Sequence, residues 1–68
     1  MPEVTLTEAS EIVSKDRSTV FRWVEDDLLP VRREGIRRDI KIDIATLRSF
    51  AEEHGYRFDE KLAQEYAR

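Results

Sequence analysis

Cysteine is missing from this chain, and histidine, glycine and proline are nearly so, at one, two and two residues. Without cysteine there are no disulfides and no thiolate metal sites, and His54 cannot build a metal site by itself. The sequence reads as metal-free, cofactor-free and suited to a reducing compartment. Two glycines cannot make a phosphate-cradling loop, and no nucleophile is spaced with a base, so no enzyme is expected. No apolar run approaches the roughly 20 residues of a membrane span. The opening MPEVTLTEASE has neither the basic start nor the apolar stretch of a signal peptide. A cytoplasmic location without a membrane partner is the expectation.

What is present is an apolar set spread along all 68 residues, which predicts one small folded domain over residues 1–68. A chain of this size buries only ~60% of its unfolded surface, leaving little interior for a catalytic pocket. Thr7 can cap a first helix over TEASEIVS, ending near Ser14, with Ala9, Ile12 and Val13 at helical spacing. Ahead of it Val4 and Leu6 alternate with Glu3 and Thr5, the pattern of a short extended segment. Asp16 stands as N-cap of a second helix from Arg17 to about Asp26, and two short helices so closely joined form a helix-turn-helix. At 100° per residue, Val20, Phe21, Trp23, Val24 and Leu28 project to one side. Ser18, Thr19, Arg22, Glu25 and Asp26 project to the other, and Arg17 falls nearer the apolar side.

Pro30 forbids a longer helix, and residues 31–34 and 36–42 read as two strands of a hairpin around Gly35. Asp43 caps a third helix, IATLRSFAEEH, with Ile44, Leu47, Phe50, Ala51 and His54 on one stripe and Gly55 as its stop. A last short helix follows Asp59, over residues 59–67, with Phe58, Leu62 and Tyr66 four apart. The expected fold is mainly α with a two-stranded β-hairpin wing: a compact winged helix-turn-helix of three to four short helices, with its core in residues 6–54.

The net charge of −3 is unevenly distributed. Residues 1–13 carry three acids and no base, residues 14–42 eight bases and six acids, and residues 43–68 four bases and six acids. Within residues 31–41 alone, Arg32, Arg33, Arg37, Arg38 and Lys41 face only Glu34 and Asp39. Screening over ~8 Å makes such a local patch sufficient to engage phosphates. The acidic flanks predict modest affinity and a need for company.

Between Leu6 and Phe50 the chain reads LTEASEIVSKDRSTVFRWVEDDLLPVRREGIRRDIKIDIATLRSF. This resembles the compact winged helix-turn-helix domains of the MerR-like superfamily, especially excisionase-type phage and plasmid regulators. The resemblance lies in Leu6-Thr7, Ala9, Ser18-Thr19-Val20, Arg22-Trp23, Leu29-Pro30 and Ile42-Asp43, in that order, and spans about residues 6–54. It is also similar to the DNA-recognition domain of phage terminase small subunits. The family often has glycine where this chain has Ser14-Lys15 and Asp27-Leu28. The resemblance implies double-stranded DNA as partner, with the second helix in the major groove and the hairpin as a wing. Transcription regulation, direction of DNA recombination or phage packaging are the implied roles.

On this reading Arg17, Ser18, Thr19 and Arg22 meet the major groove, Arg22 towards a guanine edge. Arg32, Arg33, Arg37, Arg38 and Lys41 lie on the backbone or in the minor groove, although strand alternation forbids all of them facing DNA at once. Trp23 and Phe50 belong to apolar stripes and read as core, and His54 as a helix cap. Additional copies of the chain, dimeric or cooperative on repeated sites, are the expected partners besides DNA. The competing reading is a protein-interaction adaptor or anti-regulator that uses its acidic helices, including Glu25, Asp26 and Asp27.

Overall fold

In a computed structural model that describes residues 2–37 and 39–67, the first helix begins where a capping box forms. The Thr5 hydroxyl accepts the Glu8 N–H at 3.2 Å, and the Glu8 carboxylate accepts the Thr5 N–H at 2.9 Å. Helix α1 therefore spans Leu6–Ile12 and is capped by Thr5, not by the Thr7 read from sequence. Of the two threonines only Thr5 stands three residues ahead of a carboxylate. Thr7 instead accepts the Ser10 hydroxyl on its carbonyl at 2.6 Å.

The segment before α1 is strand β1, Glu3–Thr5. It pairs antiparallel with β3, Asp39–Asp43, in the register Glu3 to Asp43, Val4 to Ile42 and Thr5 to Lys41. On the other side of β3 lies β2, Arg32–Glu34, with Arg32 opposite Lys41, Arg33 opposite Ile40 and Glu34 opposite Asp39. The result is a three-stranded antiparallel sheet in the order β1-β3-β2, where the sequence predicted a two-stranded hairpin. Residues 3–5 supply the third strand: without β1, one edge of β3 would expose its ladder groups beside the buried Ile42. The ribbon strands are also shorter than expected. Gly35, Ile36 and Arg37 turn outside the ladder, Gly35 at φ 79°, and Ile36 is fully exposed. Arg38 lies outside the described residues.

Helices α2 (Arg17–Glu25), α3 (Ile44–His54) and α4 (Glu60–Tyr66) complete the described residues, about half of which are helical. Asp43 caps α3 by accepting the Ala45 N–H at 2.8 Å, and Asp59 caps α4 by accepting the Leu62 N–H at 3.0 Å, both as the sequence predicts. Asp16 occupies the N-cap position of α2, but its side chain makes no cap hydrogen bond. None of the described helices is long and apolar enough to cross a membrane.

One device ends the first three helices. In α1 the N–H groups of Ser14 and Lys15 donate to the carbonyls of Glu11 and Ser10, at 3.2 and 3.0 Å. In α2 those of Asp27 and Leu28 donate to Val24 and Trp23, at 3.1 and 2.9 Å, and in α3 those of Gly55 and Tyr56 donate to Glu52 and Ala51, at 3.4 and 2.8 Å. This is the Schellman arrangement, which needs one left-handed residue. Gly55 supplies it in α3 with φ 73°, but Ser14 (φ 56°) and Asp27 (φ 58°) adopt it with side chains.

The left-handed turn at Asp27 corrects the sequence-based core. Leu28 points outward, 53% exposed, and Leu29 enters the interior at 1%. Phe21 is 43% exposed, since it lies on the flank of α2, where the apolar stripe of Val20, Trp23 and Val24 meets solvent. Trp23 stacks on Tyr56 with ring centroids 5.0 Å apart and planes at 14°, and meets Phe50 at the same distance. His54, expected on the α3 stripe, is exposed against the Phe50 ring. Helix α4 rests on α1: Ala63 is buried, Leu62 and Tyr66 pack on the core, and the Asp59 N–H donates to the Ile12 carbonyl at 2.9 Å.

Candidate nucleic-acid interface

The outer face of α2 is set by its buried stripe. With Val20, Trp23 and Val24 inward, Arg17, Ser18 and Arg22 are exposed, while Thr19 is half-buried on the opposite flank from Phe21. None of these polar side chains is drawn into an ion pair or a side-chain hydrogen bond among the described residues.

Alternation along β2 and β3 divides the basic ribbon between two sheet faces. Arg33, paired with Ile40, shares the face of Val4 and Ile42, on the helix side, and remains exposed beyond the core. Arg32 and Lys41 lie opposite each other on the outer face, together with Glu3, Thr5, Glu34, Asp39 and Asp43. That outer face is mixed in charge, and it holds Arg32. The Arg32 Nε donates to Glu3 Oε2 at 2.9 Å, a second guanidinium nitrogen bonds the other Glu3 oxygen, and Glu34 approaches to 2.6 Å. These hydrogen bonds hold the Glu3 carboxyl below the usual carboxylate range and push the Arg32 guanidinium further above its own.

The residues expected to bind DNA thus separate into three groups. Arg17 borders two adjoining hollows between α2 and the start of α1, one shared with Ser18 and the other reaching Lys41 of β3. Arg33 and Arg37 project from the ribbon and its turn, and Arg22 from the middle of α2, all exposed and free of ion pairs among the described residues. Arg32 stands apart, tied to two acids. Arg38, the remaining expected contact, is outside the described residues.

Sequence reasoning did not foresee the placement of two residues. Phe21 lines the depression between α2 and β3, and Lys15 lies 4.9 Å over the Tyr56 ring, so its charge belongs to the aromatic cluster. Phe21 had a legible signal: at 100° from Val20 it stands at the edge of the apolar stripe. Among the described residues no three His, Asp and Glu side chains converge as a metal site would require.

The chain matches no protein-family model, no curated protein and no solved structure.

Proposed function

We propose that this chain is a double-stranded DNA-binding module of winged helix-turn-helix type. It places α2 in the major groove and the β2-β3 ribbon, as wing, along the backbone or in the minor groove. The observation that supports this reading most is the set of unpaired cations. Arg17, Arg22, Arg33, Arg37 and Lys41 make no ion pair among the described residues, whereas Arg32 and Arg48 are bound to acids. A cation left free on an acidic protein is available to a phosphate or a guanine edge.

The resemblance to excisionase-type regulators supports a role in transcription control or recombination, without catalytic activity of its own. A single module buries only about 600–1,000 Å² on DNA, so site selection requires neighbouring copies. The measurement is duplex affinity against salt: a log-log slope near −4, for about four or five neutralised phosphates, supports the proposal. Binding to every duplex that is weak and flat in salt overturns it. The acidic end of α2, where Glu25, Asp26 and Asp27 are all exposed, favours protein interaction as the second reading, and salt-insensitive capture of a basic protein would mark that outcome.

A further inference from the structure

We infer that Phe21 is a specificity-determining residue that reads the C5-methyl group of a pyrimidine in the major groove, thymine in ordinary DNA. This rests on the DNA-binding reading above and adds to it a named base contact.

Single exposed apolar residues are ordinary on protein surfaces. Phe21 differs by its position and company. It is 43% exposed on the flank of α2, and it lines two adjoining hollows. One is formed with Leu6, Arg17 and Ser18. The other, a groove of about 340 Å³, is closed on its far side by Ile40 and Lys41 of β3. Arg17 precedes Phe21 by four residues and Ser18 by three, so all three share one side of the helix. The ring is therefore an apolar surface in a groove that it shares with Arg17 and Lys41, neither in an ion pair among the described residues, and with Asp39, and Ser18 adds a hydroxyl in the adjoining hollow.

Charge complementarity selects the occupant. Asp39 also lines the groove, so its charged lining is two cations to one acid; an apolar peptide would leave that excess positive charge unanswered, whereas the edge of a duplex presents phosphates on both rims and base edges between them. In the major groove the one apolar substituent on a base edge is the pyrimidine C5-methyl, and a phenyl ring without donors or acceptors distinguishes bases there only by covering it. Thymine carries this methyl, and so does 5-methylcytosine at a modified site. Arg17 and Lys41 fix the depth at which the ring enters the groove.

The test uses the full chain and a duplex recovered by selection from a random pool. Each thymine is replaced singly by deoxyuridine, and in parallel each cytosine by 5-methylcytosine. Wild-type protein is expected to lose about fourfold in affinity at one or two thymines, the equivalent of one methyl-sized group returned to water. F21A is expected to bind thymine and uridine duplexes equally, and F21L to retain part of the difference. A gain on 5-methylcytosine with no loss on deoxyuridine supports the methyl contact and assigns it to the modified base. Because the base substitutions leave the protein untouched, folding of the variants does not decide the outcome. Tight duplex binding with no methyl dependence, or an unchanged dependence in F21A, overturns the assignment of Phe21 alone. Absence of binding to any duplex overturns the DNA reading, and this inference with it.

Discussion

Arg32, on one edge strand, reaches across the central strand to Glu3 on the other edge, donating through Nε at 2.9 Å while Glu34 holds the same guanidinium at 2.6 Å. The contact closes the sheet from above and removes one arginine from the positive patch. R32A is therefore expected to lose less duplex affinity than R33A or R37A. Those two should weaken binding to every sequence and each reduce the salt slope by about one, whereas R22A relaxes base preference. Titration of the four variants against selected and scrambled duplexes checks the ranking; an R32A loss as large as that of R33A contradicts it.

Acid should reveal the same contact. The Glu3 carboxyl titrates below its ordinary range because Arg32 hydrogen-bonds it, and Glu60 does so because of Arg48, whose guanidinium lies 2.8 Å away. Each contributes stability that is present above the unfolded carboxylate pKa, about 4.3, and is lost as pH falls through the depressed folded value. Urea midpoints measured from pH 7 to pH 2 should fall more steeply for the wild type than for E3Q or E60Q, with the curves converging at the acid end.

Trp23 is 7% exposed, stacks on Tyr56 and meets the tilted Phe50 ring. Truncating it to alanine costs about 3–5 kcal/mol, comparable with everything a single core of this size supplies. W23A should show no cooperative thermal transition in circular dichroism.

The three helix ends give a ranked prediction. A side chain in the left-handed region costs about 1–2 kcal/mol relative to the right-handed one, and less for aspartate, which tolerates it. S14G should therefore stabilise by about 0.5–1 kcal/mol, after the entropic cost of glycine, and D27G by less. G55A should destabilise through backbone strain alone, since a Cβ there meets nothing within 4 Å. Thermal midpoints check the order, at about 4–8 °C per kcal/mol for a domain of this size.

What the sequence disclosed was local. Asp43 with Gly55, and Asp59 with the Phe58-Leu62-Tyr66 spacing, mark α3 and α4 because both signals lie within a few residues of the helix they bound. The start of α1 was displaced because Thr5 and Thr7 are alike as residues and differ only in having, or lacking, an acid three positions on. Strand β1 was legible only as an extended segment, since its pairing partner is Asp39–Asp43, far along the chain. In the candidate interface, exposure of Ser18 and Arg22 followed from helical periodicity, whereas Arg17, which projects nearer the apolar side, is nevertheless exposed. The sequestration of Arg32 did not, because Glu3 stands 29 residues away and a count of charges treats every arginine as free. Phe21 lay at the boundary of a projection, where a small rotation of the helix decides between core and surface.

The docking of α4 on α1 also bears on how the chain reaches this fold in a cell. The Ile12 carbonyl waits for the Asp59 N–H, and residues 3–5 wait for residues 41–43. At about 5–20 residues per second, a ribosome takes on the order of a few seconds to span that interval. Throughout it α1 can pack on α2, but the sides of α1 that β3 and α4 cover stay open. Folding of this domain thus cannot be completed until both halves of these pairings have been synthesised.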